Sequence, residues 1–189
     1  GGYGQLGHGD ESNVSVPRLC TCSQRFADVE VGGFHMMAVG MGPQRELFSW
    51  GRSTACGVGS SSRDAALSPT KVGLENVVSF GCGRMHSAVV TEDGRLWTFG
   101  QGHEGALGHG DRSDCLVPKQ VKLPDHVVAK QVACGRDFTV VLADNSGRCE
   151  MYSFGADDYG QLGLGRGHGE RYVRTPRKVL LPDGVTIES

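Results

Sequence analysis

The sequence predicts an all-β protein, and within that class a β-propeller of which about 3.6 blades are present. Three observations lead there. Glycine supplies 30 of the 189 residues, with only seven prolines and no G-X-Y period, so the chain calls for many tight turns rather than a collagen-like or low-complexity structure. The apolar runs are short, rich in Val, Phe and Trp and bounded by glycine, with no sustained 3.6-residue stripe, which reads as strands. Finally, four landmark strings recur in one order at a step of roughly 50 residues, the signature of a repeat architecture.

The landmarks define the units. Gly4-Gln5-Leu6-Gly7 is matched by Gly105-Ala106-Leu107-Gly108, by Gly160-Gln161-Leu162-Gly163 and, in weakened form, by Cys56-Gly57-Val58-Gly59. The aromatic-glycine pairs Trp50-Gly51, Phe99-Gly100 and Phe154-Gly155 keep the step, as do Pro17, Pro69, Pro118 and Pro176. A fourth landmark, Gly32-Gly33-Phe34-His35, corresponds to Gly83-Arg84-Met85-His86 and to Gly135-Arg136-Asp137-Phe138. These divide a single partial domain into units 1–51, 52–100 and 101–155 and an incomplete unit 156–189.

In the first unit, Met37-Ala38-Val39 and Leu47-Phe48-Ser49-Trp50 flank a turn from Gly40 to Glu46. In the second, Val77 to Phe80 reads as a strand. Ser87 to Thr91, the turn Glu92-Asp93-Gly94 and Arg95 to Gly100 then form a hairpin whose Asp-Gly supplies the positive φ such turns need. The third unit repeats this with Val127 to Val132, Thr139 to Leu142 and Met151 to Phe154, and the last two are predicted to flank a longer turn, Ala143 to Glu150. The fourth carries an expanded loop, Arg166 to Arg171. About 50 residues in four short strands is the size of a propeller blade, stacked by its apolar faces. Close backbone approach near the axis accounts for Gly33, Gly83, Gly135 and the glycines after each aromatic residue.

Composition narrows the function classes. A formal net charge of -2 and a pI near 6.4 give no basic field for phosphate backbones or anionic lipid, so neither nucleic acid nor membrane is an expected partner. No stretch approaches 18 consecutive apolar residues, and Gly1-Gly2-Tyr3-Gly4 does not read as a signal peptide. Seven cysteines form an odd set without a C-x-x-C pair, which argues against a disulfide framework or zinc ribbon and for a cytoplasmic or nuclear setting.

The chemistry-bearing motifs fall to structural explanations. Gly2 to Gly7 and Gly100 to Gly105 both fit G-x-G-x-x-G, but they recur at repeat landmarks and open no helix of a βαβ unit, so they are turns rather than a dinucleotide fingerprint. Gly7-His8-Gly9-Asp10 and Gly108-His109-Gly110-Asp111 are one loop built twice, in which Asp10 and Asp111 are expected to cap turns. His35 and His86 are expected to hydrogen-bond backbone between strands, and Cys82 and Cys134 to act as small buried hydrophobes. Cys20 and Cys22 have no suitably spaced further ligands, and no serine or cysteine lies in a nucleophile motif. No catalytic, cofactor-binding or metal-binding residue is expected.

The order G-Q-L-G, proline, C-G-x-x-H-[ST], aromatic-glycine resembles the repeats of the regulator of chromosome condensation family, and Cys82 to Ser87 followed by Glu92 to Gly100 is nearly an ideal copy. The resemblance covers essentially the whole chain. It departs at Phe138, which replaces the histidine, at Cys56 and in the 166–171 loop. It implies a seven-bladed propeller, so these units are expected to be an excerpt of a longer polypeptide or to be completed by another chain. Neither a Trp-Asp terminus nor regular Gly-Gly pairs support the other common propeller repeats.

The function expected is a non-enzymatic protein-protein interaction scaffold, with rigid strands presenting variable loops. The candidate partner-binding residues follow the aromatic-glycine and G-Q-L-G strings: Asp10, His103, Glu104, Asp111, Arg112, Asp157, Asp158 and Tyr159. The resemblance also implies two alternatives. One is guanine nucleotide exchange on a Ran-like small GTPase, for which only the turns Gly40 to Glu46 and Ala143 to Glu150 could supply a wedge. The other is service as the targeting propeller of a larger ubiquitin ligase or kinase. The ultraviolet-sensing branch, which uses clustered tryptophans, is a poor match for a chain with only Trp50 and Trp97.

Overall fold

The computed structural model describes residues 2–20, 22–59, 65–165, 169–182, 185 and 187. Residues 166–168 of the expanded loop lie outside the described residues. Among the described residues, twelve strands form three antiparallel four-stranded sheets. The first blade contains β1 (Phe26–Val31), β2 (His35–Gly40), β3 (Leu47–Arg52) and β4 (Ala65–Lys71). The second contains β5 (Val77–Cys82), β6 (His86–Thr91), β7 (Leu96–Gly100) and β8 (Cys115–Gln120). The third contains β9 (Val127–Cys134), β10 (Phe138–Asn145), β11 (Arg148–Ala156) and β12 (Tyr172–Lys178). Strands follow one another in sequence order within each sheet, so each blade is a meander. The helix α1 (Ser53–Cys56) is a single turn.

Turn chemistry sets the hairpins. In the second blade Gly94 takes φ 76° and its N–H donates to the Thr91 carbonyl at 2.8 Å. In the third, the ladder continues to Asn145 opposite Arg148, which corrects the expected long turn 143–150. Ser146 (φ 54°) and Gly147 (φ 85°) make a two-residue turn with positive φ at both positions, the geometry that matches strand twist and lets pairing run to the tip. Of the three connections between a blade's second and third strands, the first is the longest, with residues 41–46 between β2 and β3.

The core lies between blades. Met37, Val39 and Leu47 of the first blade pack on Val77, Phe80 and Phe99 of the second. Ala88, Val90 and Leu96 of the second pack on Val132, Val141 and Phe154 of the third. Strand β6, covered on both sides, is buried at all six positions. By contrast β10 alternates, with Thr139, Val141 and Ala143 buried and Phe138, Val140 and Leu142 only half-buried. At the other end, Val29 and Val31 are 51% and 64% exposed, where their equivalents Phe80 and Cys82 are buried under a preceding blade. Apolar side chains are therefore left uncovered on the outer faces of the first and third blades.

Two polar bridges cross these cores, and they correct the role expected for the histidines. His35 Nε2 lies 2.7 Å from Ser87 Oγ of the next blade, and Ser87 Oγ donates to the Ala55 carbonyl at 3.1 Å. Likewise His86 Nε2 lies 3.0 Å from Thr139 Oγ1, which donates to the Ala106 carbonyl at 2.8 Å. Each histidine thus binds a side-chain hydroxyl of the following blade rather than backbone of its own. Because the hydroxyl's single proton is committed to a carbonyl, the histidine must donate from Nε2.

The equivalence of Ala55 with Ala106 also corrects the second unit's register. Gly7 sits against Trp50, Gly57 against Phe99 and Gly108 against Phe154, so the counterpart of Gly4 to Gly7 is Thr54 to Gly57, not Cys56 to Gly59. In this shorter connection α1 occupies the place of the loop, and Gly57 ends it with φ 69°, the usual left-handed helix terminator.

Candidate protein-interaction face

The β1–β2 type turns (32–34, 83–85, 135–137) and the β3–β4 type loops (101–114, and 157–165 with 169–171) emerge at one end of the strands, and the hairpin tips emerge at the other. The loop face has two adjoining depressions. One, of about 420 Å³, is lined by Glu104, Arg136, Asp137, Asp158, Arg171 and Tyr172 among others. The second, of about 190 Å³, adds Arg84, Gln101 and His103, and shares Glu104, Arg136 and Asp137.

Charge is held there by opposed pairs and by aromatic support. Arg171 Nε lies 2.5 Å from Asp158 Oδ1, and Arg136 Nε lies 3.2 Å from Asp137 Oδ2. The Tyr172 ring carries Arg112 at 4.7 Å and Arg171 at 5.1 Å from its centroid, within cation–π range. Desolvation raises the Tyr172 hydroxyl pKa, and its hydrogen bond to Glu104 adds to this. Toward the axis, Arg84 faces the Phe34 ring at 6.0 Å, and Arg52 lies 5.2 Å from the Tyr3 ring.

The sequence candidates separate into two groups. His103, Glu104, Arg112, Asp158 and Tyr159 gather at the depressions: the His103 carbonyl accepts from Arg112 Nε, and His103 Nε2 lies 4.0 Å from Asp114 Oδ1. Asp10 and Asp111 instead lie beside the outer strands, where Gly9 and Gly110 donate to the Leu67 and Arg174 carbonyls. Their carboxylates accept from the Ser12 and Ser113 N–H at 2.8 and 2.9 Å, and these backbone bonds are the main cause that lowers each pKa. Asp157 Oδ1 accepts from Leu162 N–H at 2.9 Å, so it shapes its loop. Arg84, Arg136, Asp137, Arg171 and Tyr172 are additional members. The signal for the first three was available in the repeat: Arg84 and Arg136 recur directly after the motif's first glycine, where the first unit has Gly33, and Asp137 stands where the other units have Phe34 and Met85.

Among the described residues, no group of three His, Cys, Asp or Glu side chains is placed to hold a metal ion. The two tryptophans are held apart, Trp50 Nε1 donating to the Gln5 carbonyl and Trp97 Nε1 to Thr91 Oγ1.

The model of the regulator of chromosome condensation (RCC1) repeat matches residues 1–39, 46–90, 93–142 and 150–189. The chain belongs to the RCC1 repeat family. It is 36% identical over 169 residues to the human probable E3 ubiquitin-protein ligase HERC3, covering 86% of this chain and 16% of the ligase. To the Arabidopsis thaliana ultraviolet-B receptor UVR8 it is 34% identical over 171 residues, covering 87% of this chain and 38% of the receptor. Among solved structures, human WBSCR16 superposes with a TM-score of 0.77 at 22% identity over all of this chain and 50% of that one. Prp20p of Saccharomyces cerevisiae, whose structure was described with its binding to Gsp1p and histones, superposes with a TM-score of 0.70 at 23% identity, over 92% of this chain and 42% of Prp20p. The three sheets are thus RCC1-type blades, and the chain spans half or less of each of these proteins.

Proposed function

We propose that these RCC1 blades are a non-enzymatic protein-interaction scaffold whose partner contacts the loop face around Arg136. The observation that carries this is the pair of adjoining depressions built from variable repeat positions on an otherwise repeated frame. Side chains there are exposed, with Arg136 at 73% and His103 at 64%, while the residues beneath them are fixed by the inter-blade cores. Rigid support under variable, arginine-rich positions is what protein recognition uses. Similarity to the HERC3 ligase over 16% of its length supports a second reading at the level of the whole polypeptide, in which this propeller segment selects the partner for catalysis located elsewhere. Free thiols at all seven cysteines fit a cytoplasmic or nuclear setting.

Charge reversal at Arg136 with alanine at His103 and Glu104 is expected to weaken a captured partner at least tenfold without moving the melting temperature, since about 1.4 kcal/mol accompanies each tenfold loss. Calorimetric titration with the partner, beside thermal unfolding, reads both. Unchanged affinity would reject the loop face. Alanine at Asp111 or Asp157 is expected to lower stability instead, because both accept backbone N–H groups.

A further inference from the structure

We infer that the outer strands of the first and third blades carry phosphoacceptor sites, Ser68 and Thr175, through which a proline-directed protein kinase loosens the loop lying against each strand. Repeat position and strand register carry this together. Ser68-Pro69-Thr70-Lys71 and Thr175-Pro176-Arg177-Lys178 occupy the same place in two units: a hydroxyl, the landmark proline, and a lysine three residues after the hydroxyl. Such kinases read this order, with a pocket shaped for the proline ring and an acidic subsite for the cation. The second blade has Val117-Pro118-Lys119-Gln120 at that place, with neither the hydroxyl nor the final lysine.

The pairing of the strands makes the acceptor reachable. In the first blade Ser49 faces Thr70 and Gly51 faces Ala66, so Leu67, Ser68 and Pro69 stand opposite the single residue Trp50. In the third, Ser153 faces Arg177 and Gly155 faces Val173, so Arg174, Thr175 and Pro176 stand opposite Phe154. The acceptor is the middle residue of each bulge, on a terminal strand of its sheet, and the proline after it has no N–H to restore the ladder. Both acceptors are exposed. Lys71 and Lys178 are 47% and 57% exposed within their ion pairs to Glu46 and Glu150, so a further carboxylate can approach each ammonium group from solvent. In the transfer, the hydroxyl oxygen attacks the γ-phosphorus of the kinase-bound nucleoside triphosphate. The new O–P bond forms as the bond from that phosphorus to the bridging oxygen breaks, the nucleoside diphosphate leaves, and the hydroxyl proton passes to the kinase's catalytic carboxylate.

What lies beside each acceptor gives the modification its effect. The residue before it holds the loop through its carbonyl, Leu67 accepting from Gly9 N–H at 2.9 Å and Arg174 from Gly110 N–H at 2.8 Å. The loop's next residue is Asp10 in one case and Asp111 in the other, and backbone N–H bonds lower the pKa of both carboxyls. A Cβ at Gly110 would lie 3.8 Å from Thr175 Cγ2, so the acceptor side chain abuts the loop. A phosphate of about −2 charge beside that aspartate opposes the loop's backbone bond by like-charge repulsion.

The test incubates the full chain with a purified cyclin-dependent kinase and magnesium ATP, with sites and initial rates read by mass spectrometry. Phosphate is expected on Ser68 and on Thr175. Lys71→Ala and Lys178→Ala are each expected to slow their own site about tenfold. Val117 is 55% exposed, so Val117→Thr/Gln120→Lys leaves the core intact and is expected to create a third site in the second blade. Gly100→Ala, which raises the unfolded population, is expected to be modified at the parent's rate because the acceptors need no unfolding. After phosphorylation, hydrogen exchange at the Gly9 and Gly110 amides is expected to quicken about tenfold, and Asp111→Asn to suppress the change at Gly110. A folded chain that stays unmodified at either acceptor overturns the inference, as do rates that rise with the unfolded fraction of Gly100→Ala. A second-blade graft that gains no phosphate, or exchange at Gly110 that is unchanged or slower in the phosphorylated chain, also overturns it.

Discussion

Acidification from pH 6.5 to 4 is expected to remove on the order of 5 kcal/mol of stability, comparable with the whole margin of about 5–15 kcal/mol of a typical domain. His35 and His86 are fully buried, and desolvation lowers them from 6.5 to about 3 and about 4, with the neighbouring His86 adding to the effect at His35. Both must donate from Nε2 to a committed hydroxyl, and His35 Nδ1 is buried with no partner. At His35 a second proton would therefore place a charge where nothing receives it, and at His86 desolvation outweighs the backbone bond with Phe138 that favours the charged ring. Below pH 6.5 the unfolded chain takes up protons that the folded chain refuses, so stability is complete above 6.5 and falls as the pH drops. The loss ends only when the folded-state values are reached. Two sites give a slope of up to ~2.7 kcal/mol per pH unit. The lowered carboxylates Asp10, Asp93 and Asp111 act in the same direction, but only below about pH 4. Urea unfolding from pH 7.5 to 4.5 measures the slope. The variant His86→Phe, copying Phe138 of the third blade, is expected to reduce it by ~1.4 kcal/mol per pH unit. An unchanged slope would mean that the inter-blade histidines do not set the acid limit.

The repeat made the architecture readable because periodic strings constrain one another: the Asp93-Gly94 turn and the aromatic-glycine pairs place β6 and β7 without any tertiary information. What sequence patterning missed was decided by contacts across blades. The register of Thr54 to Gly57 is fixed by which glycine meets Phe99 and which carbonyl receives Ser87, and a two-residue shortening there is invisible when Cys56-Gly57-Val58-Gly59 also scans as a loop string. The histidines looked like strand-to-strand clips because their acceptors, Ser87 and Thr139, lie 52 and 53 residues away. For the interaction face, residues after the landmarks were visible as loop positions, yet Asp111 and Asp157 proved to serve backbone N–H groups. Arg171 and Tyr172 entered only through packing on the neighbouring loop.

Substituting Gly100 by Ala is expected to cost about 3–5 kcal/mol, far more than one methyl group usually does. Gly100 has φ 108° and sits at a register shift in the β7–β8 ladder, a conformation that L residues rarely adopt. Its Cβ would lie 2.5 Å from the Met85 carbonyl oxygen and 2.7 Å from His86 Cα. Both are backbone atoms, so relief requires β6 to move and drags His86 away from Thr139. The equivalent glycines behave alike: Gly51 and Gly155 have φ 105° and 116°, and a Cβ on either would lie 2.6 and 2.5 Å from the Cα of His35 and Phe138. Two controls separate the contributions. Gly42→Ala, in open space without a positive φ, is expected to stay within about 0.5 kcal/mol of the parent. Gly147→Ala, at φ 85° with nothing within 4 Å, isolates the backbone cost at about 1–2 kcal/mol. Urea midpoints for the three variants should therefore rank Gly42, Gly147, Gly100. A Gly100→Ala loss no larger than that of Gly147→Ala would show that β6 yields freely. The close approach of the second and third strands would then not be what demands glycine after each aromatic residue.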